Sequence, residues 1–293
     1  MKNIYTLVED IYAQIRKRDG WFSEELIEHF SMDMGRRLSA QLNEERVPRL
    51  RLSQLGPRCP RALWNSIHRP ELKEHLPPWA EIKYTYGHMI EALMTTLAKA
   101  SGHEVTGEQD ELDVDGIKGH RDCVIDGCIV DVKSASSRSF EKFRDKSIAH
   151  NDSFGYLEQL DAYLVGSLDD PSVRVKDRAF LLAVDKQLGH VCLYEHKLRE
   201  AHIRERVKAY KEIVERDSPP PCQCGTEPYN KSGNIALDTK ASYESFKYGC
   251  FPHLRCFLYS NGPVYLTHVA KRPTRTDGSL IPEVDRHGKI VYN

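Results

Sequence analysis

Two aspartates and a lysine near the middle of the chain carry its most suggestive chemistry. Asp122 precedes the dipeptide Asp126-Gly127, while Asp131 and Lys133 follow it within an otherwise apolar run. An Asp-Gly pair between two strand-like runs is a strong hairpin signal, and alternate residues of a strand point to one face. We therefore predict that a hairpin brings these three charged side chains together. Buried charges are costly unless they are paired or bind a metal ion.

Paired carboxylates next to a lysine suit metal-assisted phosphoryl chemistry. Carboxylate oxygens bind Mg²⁺ or Mn²⁺, and a neighbouring ammonium can orient the attacking water and offset charge that develops on a phosphoryl group. The alternative is a plain ion pair between Asp131 and Lys133 on an exposed strand face. For an isolated D-x-K pattern that alternative is the simpler one, so the surrounding motifs decide between the two.

Predicted helices supply further polar residues on both sides of the hairpin. Glu91 ends the segment Gly-His-Met-Ile-Glu on a helix predicted over 82–100, and a break at Pro77-Pro78 precedes this helix. Gln159 and Tyr163 lie one turn apart on a helix predicted over 153–165. Strand-like runs are predicted at 103–108, 111–114, 117–125, 128–134, 179–184 and 190–195, and further helices at 62–68, 139–148 and 197–216.

The order of these motifs resembles the RecB-like branch of the PD-(D/E)XK nuclease superfamily. The pattern is G-x-x-x-E on a helix, then G-x-x-D, D-x-K on the next strand and Q-x-x-x-Y on a helix, over roughly residues 52–195. Many members carry His where this chain has Glu91, and the carboxylate still suits Mg²⁺. The resemblance implies an α/β, restriction-endonuclease-like core in which helices flank a mixed sheet.

The resemblance also implies which residues hold metal and carry out the reaction. Glu91, Asp122 and Asp131 would ligate Mg²⁺ or Mn²⁺, with the carbonyl of Val132 as a further ligand. Lys133 would be the catalytic lysine. Phosphodiester hydrolysis would then use a metal-activated water, with the metal also stabilising the charge that develops on the phosphate.

Three residues are candidate DNA contacts. The resemblance implies that Gln159 and Tyr163 position DNA near the site. Arg121 could contact a phosphate, and its alternative is an ion pair with a nearby carboxylate.

The cysteines are candidate ligands for a second metal site. Residues 52–63, which contain Cys59, resemble the N-terminal cysteine motif of iron–sulfur members of this family. In those relatives a distant C-x-x-C-x-x-x-x-x-C supplies the other three ligands. Here Cys250 and Cys256 keep the last gap, but the first cysteine of that motif is absent. The resemblance implies a [4Fe–4S] cluster held by Cys59, by Cys222 or Cys224, and by Cys250 and Cys256.

Two other interpretations of the cysteines stay open. One is a zinc site built from the pair Cys222 and Cys224 together with Cys250 and Cys256, although these spacings differ from ordinary zinc knuckles. The other is a set of reduced thiols that are buried separately. Three further cysteines lie in strand-like runs and are predicted core residues: Cys123, Cys128 and Cys192.

Composition and charge exclude several classes of protein. The 293 residues are 40% hydrophobic and 29% charged, and no apolar run approaches the roughly 20 residues of a membrane-spanning helix. The formal net charge of −1 hides an asymmetry: residues 36–73 are rich in arginine, whereas residues 104–131 are rich in carboxylates. Such a division suits a protein that holds a polyanion and binds divalent cations. The alternative is an ordinary solvated surface.

The expected organisation has three parts. Residues 1–50 form a helical N-terminal addition of two or three helices, 51–218 the nuclease core, and 219–293 a cysteine-bearing tail packed on that core. The start of the chain lacks a secretory signal, so we expect a cytoplasmic protein, without membrane association, whose cysteines are reduced.

The function implied by the resemblance is metal-dependent hydrolysis of DNA from its ends, as in recombination, replication or repair. The expected partners are DNA, a second copy of the chain, or recombination and replication proteins. The alternative is a DNA-binding or assembly subunit that keeps the fold without catalysis.

Overall fold

The computed structural model describes residues 2–17, 20–43, 47–75 and 78–291, and Pro77 of the predicted break lies outside these ranges. The described residues form nine α-helices: α1 (Leu7–Ile15), α2 (Glu24–Asn43), α3 (Pro60–His68), α4 (Pro78–Ala100), α5 (Ser137–Arg144), α6 (Tyr156–Val165), α7 (Glu200–Val214), α8 (Thr239–Ser242) and α9 (Lys247–Cys250). They also form twelve strands: β1 (Val105–Thr106), β2 (Glu111–Val114), β3 (Ile117–His120), β4 (Cys123–Ile125), β5 (Cys128–Ala135), β6 (Arg178–Asp185), β7 (Val191–Lys197), β8 (Thr226–Tyr229), β9 (Asn234–Leu237), β10 (Arg255–Tyr259), β11 (Gly262–His268) and β12 (Glu283–Val284). No helix within these ranges is both long and apolar enough to cross a bilayer.

The chain divides into two compact units whose boundaries differ from the expected segments. The first unit comprises Met1–Gly56 and Glu81–Val207, and the second comprises Pro57–Ala80 and Lys208–Asn293. The N-terminal helices therefore belong with the predicted nuclease core, and residues 57–80 belong with the C-terminal segment.

The first unit contains a mixed five-stranded sheet in the order β1-β4-β5-β6-β7. Strand β5 pairs antiparallel with β4 and parallel with β6, and β6 pairs antiparallel with β7. Helices α5 and α6 pack against the central strands. Apolar residues of α1 and α4, including Leu7, Ile11 and Leu97, form one core with Val130 and Phe180 of the sheet. This arrangement confirms the predicted α/β class.

The two Asp-Gly signals form the turns that were predicted from them. Asp115-Gly116 joins β2 to β3, and Asp126-Gly127 joins β4 to β5. Both residues of each pair have positive φ, at 52° and 84° in the first turn and 52° and 81° in the second. Two consecutive positive φ angles are typical of the tight turns whose twist matches a hairpin.

The second unit contains an antiparallel sheet in the order β12-β10-β11-β9-β8, which the weak periodicity of residues 219–293 did not predict. Strand β10 explains why the pattern is weak. Cys256 packs into one apolar cluster and its neighbour Phe257 into another, and both side chains are buried. A strand that is buried on both faces shows no alternation of polar and apolar residues.

Candidate functional site

The β4–β5 hairpin places the two predicted metal-ligand aspartates together. Cys123 pairs with Val130, so Asp122 and Asp131 occupy the next facing positions in the register. The carboxylate of Asp122 accepts a hydrogen bond of 2.8 Å from the amide of Val132. Asp131 is only 1% exposed because β5 lies inside the sheet.

Lys133 connects this hairpin to helix α6. Its Nζ lies 2.6 Å from a carboxylate oxygen of Asp131 and donates a hydrogen bond of 3.1 Å to Oε1 of Gln159. The Nε2 of Gln159 in turn donates to the hydroxyl of Tyr163 at 2.6 Å. Tyr163 itself is buried, so this network orients Gln159 and Lys133 from behind.

Glu91 on α4 is held by two residues that the sequence did not single out. Nη1 of Arg37 lies 2.8 Å from its Oε1, and Nε2 of Gln109 donates to the same oxygen at 2.7 Å. Arg37 also donates to Asp33, one turn earlier on α2. The amide of Gln109 donates to the carbonyl of Asp122, which fixes this residue beside the hairpin. Arg37 belongs to the arginine-rich segment, but no local sequence pattern predicts that it pairs with Glu91.

The three carboxylates share one electrostatic environment. Burial raises the pKa of Asp122 well above its usual value, and the negative charges of Asp131 and Glu91 raise it further. Burial also raises the pKa of Asp131 and of Glu91, against the opposing effects of Lys133 and Arg37. Burial lowers the pKa of Lys133, but the two aspartates outweigh it, so the net pKa is raised and the side chain stays an ammonium.

The carboxylates fit a hard divalent cation in their chemistry. Asp131 is buried; its Oδ2 pairs with Lys133, whereas its Oδ1 has no hydrogen-bond partner in the described part of the chain. An unsatisfied buried carboxylate is costly, and a bound cation removes that cost. Glu91 is at the same time engaged by Arg37 and Gln109 through its Oε1.

Arg121 does not lie where a DNA contact requires it, so that interpretation is corrected. Its side chain is 1% exposed and forms ion pairs of 2.6 Å with both Asp110 and Asp170. Further hydrogen bonds join it to Ser167 and to the carbonyl of Gly107. The alternative given by the sequence, pairing with nearby carboxylates, is what the structure has.

Four cysteines of the second unit form a compact group. Their sulfurs all lie within 4.8 Å of one another. Cys59 at the start of α3 lies 4.0 Å from the sulfur of Cys222 and 3.6 Å from that of Cys250, and Cys224 lies 3.6 Å from Cys250. The amide of Gln223 donates to the sulfur of Cys59. The group could therefore hold a metal ion.

Contacts within this group lower the pKa of Cys59. Hydrogen bonds from the thiols of Cys224 and Cys250 stabilise its thiolate, with smaller contributions from the amides of Gln223 and Ala62. A thiolate is the form of cysteine that binds metal.

Cys256 does not join this group, which corrects its place in both predicted ligand sets. It pairs with Tyr265 across β10 and β11 and packs in an apolar cluster with Leu254 and Val284. Burial raises its pKa to about 12. Of the cysteines predicted to be core residues, Cys123 and Cys128 are buried and Cys192 is partly buried.

Comparisons with known proteins give a limited result. No protein family and no curated protein matches the chain. Among solved structures, the protein SSO0001 is similar with 18% identity and a TM-score of 0.37, over 65% of this chain and 86% of that one. An alkaline exonuclease, LHK-Exo from Laribacter hongkongensis, is similar with 12% identity and a TM-score of 0.42, over 58% and 89%.

The same exonuclease in complex with dAMP is similar with 10% identity and a TM-score of 0.36, over 58% of this chain and 89% of that one. At these values the similarities carry no argument about activity.

Proposed function

We propose that the chain is a metal-dependent nuclease that hydrolyses DNA. The observation that carries the proposal is the buried carboxylate of Asp131, which faces Asp122 across a hairpin. Its Oδ2 lies 2.6 Å from the ammonium of Lys133, and its Oδ1 has no hydrogen-bond partner among the described residues. A purely structural ion pair would have its remaining lone pairs satisfied. In a site that binds a cation, by contrast, those lone pairs are left for the ion.

Asp122, Asp131 and Glu91, with the carbonyl of Val132, are the proposed ligands of Mg²⁺ or Mn²⁺. Such an ion supplies a nucleophilic water at neutral pH and neutralises charge on the phosphate. Glu91 would exchange Arg37 for the metal, which would leave the guanidinium of Arg37 beside the site as a cation able to face a phosphate.

Lys133 is the proposed catalytic cation. Its raised pKa keeps it protonated, so it can donate hydrogen bonds to the attacking water or to a phosphate oxygen. Gln159 fixes the direction of Nζ, and Tyr163 fixes Gln159. In this proposal Gln159 and Tyr163 orient Lys133. They affect the position of DNA only indirectly, through this lysine.

Action at DNA ends, and a role in recombination, replication or repair, rest on the family resemblance of the motifs. A DNA-binding or assembly subunit without catalysis is the second candidate. The placement of Asp122, Asp131 and Lys133 together on one hairpin favours catalysis, because a binding subunit does not need a carboxylate buried beside a lysine.

End-labelled DNA tests the proposal. Single- and double-stranded oligonucleotides, labelled at either the 5′ or the 3′ end, are incubated with the protein in Mg²⁺, Mn²⁺ or EDTA. We expect degradation only with metal, and its loss in Lys133→Ala but not in the exposed control Lys208→Ala. Equal degradation by wild type and Lys133→Ala would refute the proposal, and the order of label release reports polarity.

For the four cysteines we propose a single zinc ion rather than an iron–sulfur cluster. Zinc–sulfur bonds of about 2.3 Å at tetrahedral angles place the sulfurs about 3.8 Å apart. The observed distances of 3.6 to 4.0 Å support that size of site. A [4Fe–4S] cluster puts iron and sulfide atoms between the cysteines and needs a wider spacing, so the observed distances favour zinc.

Metal analysis of the purified protein tests this choice. We expect one zinc per chain, no iron and no visible absorbance, including after purification without oxygen. Stoichiometric iron with a brown colour would overturn the zinc assignment.

A further inference from the structure

An aromatic pair beside Lys133 has no place in the chemistry described so far. The ring centroid of Tyr156 lies 4.7 Å from the ammonium of Lys133. The ring of Phe154 lies 5.6 Å from that of Tyr156, with 28° between their planes. Phe143 stacks on Tyr156 at 6.1 Å and is buried. Tyr156 therefore contacts Lys133, the buried ring of Phe143 and the exposed ring of Phe154.

Phe154 is exposed although its backbone is firmly held. The carboxylate of Asp152 accepts hydrogen bonds from the amides of Phe154, Gly155 and Leu157, at 3.2, 2.8 and 2.8 Å. The backbone of Gly155, with a φ of 74°, approaches Gly56 so closely that a Cβ on Gly56 would lie 2.6 Å from its Cα. The segment is thus fixed by its backbone.

The ring of Phe154 packs on that of Tyr156, but the hydrogen bonds that shape the loop are made by the backbone. Its side chain is 47% exposed, and the loop is shaped by backbone contacts that any residue there would keep. This apolar ring is held at the surface and contacts Tyr156, which in turn contacts the proposed catalytic lysine, so it offers a surface for a flat ligand near the site. Nucleobases stack on such rings without regard to sequence.

We propose that Phe154, backed by Tyr156, stacks on an unpaired nucleobase next to the phosphodiester that is cut, so that the substrate is single-stranded DNA or a frayed end. This inference rests on the proposed nuclease function. Inside a duplex both faces of each base are covered by its neighbours, so a base that is not at the very end must be unpaired before it can offer a face to Phe154. Lys142, which donates to the carbonyl of Asn151 at 3.4 Å, places a cation beside the same loop for the strand's phosphates.

The test pairs a change in the protein with a change in the DNA. Cleavage of single-stranded DNA is measured for wild type and Phe154→Ala, with a normal base or an abasic site next to the cut phosphate. We expect either change alone to reduce kcat/KM about tenfold, and both together to reduce it no further. Phe154→Tyr keeps a ring and should restore wild-type values.

Trp21→Ala is the matched control, since that ring is 46% exposed and lies outside the site. It should leave the response to the abasic site unchanged. If the losses from Phe154→Ala and from the abasic site multiply instead of overlapping, the two do not interact and the inference is wrong, while the nuclease function stands.

A binding measurement separates this inference from the nuclease proposal. Single strands carrying a fluorescent adenine analogue, whose emission falls on stacking, are titrated with metal-free protein. We expect quenching by wild type and Phe154→Tyr, and its loss in Phe154→Ala. Quenching without any metal-dependent cleavage would refute the nuclease proposal alone. Equal quenching by wild type and Phe154→Ala would refute the stacking inference.

Discussion

The two candidate metal sites are built in opposite ways. In the first unit, the carboxylates come from adjacent positions of one hairpin and from a helix, and burial raises the pKa of all three. In the second unit, the sulfurs come from three separate segments, and their contacts lower the pKa of Cys59 while raising those of Cys224 and Cys250. The first arrangement is electrostatically costly without its cation, whereas the second has already stabilised a thiolate.

This difference in electrostatics indicates a different role for the metal ion at each site. Carboxylates whose charges are unfavourable without a cation favour binding of a cation. Such a site suits catalysis with a metal ion that exchanges. A compact group of cysteines that joins residues 57–80 to the C-terminal part of the same unit suits a metal that stays.

The largest effect should come from removing a ligand of the cysteine site. Cys250→Ser removes one of four sulfurs, and we expect zinc content to fall from one per chain to near none, with a clear loss of thermal stability. Structural zinc in small sites contributes about 10 kcal/mol or more of apparent free energy. Cys256→Ser is the matched control because this buried thiol lies outside the group, so zinc should be retained. Equal zinc loss in both variants would contradict the assigned ligands.

A neutral residue at position 122 should stabilise the metal-free protein and abolish cleavage. Asp122→Asn removes a charge that burial disfavours but keeps the oxygen that accepts from Val132. We expect the free energy of unfolding at about pH 8 in EDTA to rise by about 1–3 kcal/mol. Chemical denaturation measures this, with the exposed Asp169→Asn as control. A less stable Asp122→Asn protein would show that the carboxylate is already compensated.

The pH dependence follows from the same raised pKa values. Because the folded carboxylates bind protons at a pH where the unfolded ones, with pKa values near 4, do not, the metal-free protein should lose stability as pH rises above about 4. Mg²⁺ must displace those protons, so the Mg²⁺ concentration for half-maximal cleavage should fall between about pH 6 and about pH 8. Titrations of activity with Mg²⁺ at several pH values check this, and a requirement that rises with pH would contradict it.

The smallest effect concerns Arg37, the cation that holds Glu91. In Arg37→Gln the metal no longer competes with a guanidinium, so we expect Mn²⁺ to bind a few-fold more tightly, by about 1 kcal/mol or less. Calorimetric titration of the metal-free protein measures this affinity, and weaker Mn²⁺ binding would show that Arg37 helps to form the site. Arg36→Gln, at the neighbouring exposed position, is the control.

The sequence predicted the parts of the first site that local patterns determine. Asp-Gly turns and strand alternation were enough to bring Asp122, Asp131 and Lys133 together. Arg37 and Gln109 could not be predicted, because their contacts with Glu91 depend on how α2 and the segment after β1 pack in three dimensions.

The second unit was harder to predict for the same reason. The choice of Cys222 and Cys224 over Cys256 depends on the register of β10, which turns Cys256 into an apolar cluster. Neighbouring side chains of β10, Cys256 and Phe257, are both buried, so this strand leaves no alternating pattern in the sequence.

The most direct test of the central claim is the cleavage rate of end-labelled DNA in Mg²⁺ by wild type and by Asp131→Asn. The substitution keeps the shape of the side chain, removes its charge and replaces one oxygen with an amide nitrogen. We predict metal-dependent cleavage by wild type and a rate at least about 10³-fold lower in Asp131→Asn, with folding unchanged by circular dichroism. Equal rates for the two proteins, or no cleavage of any DNA by wild type, would contradict the account.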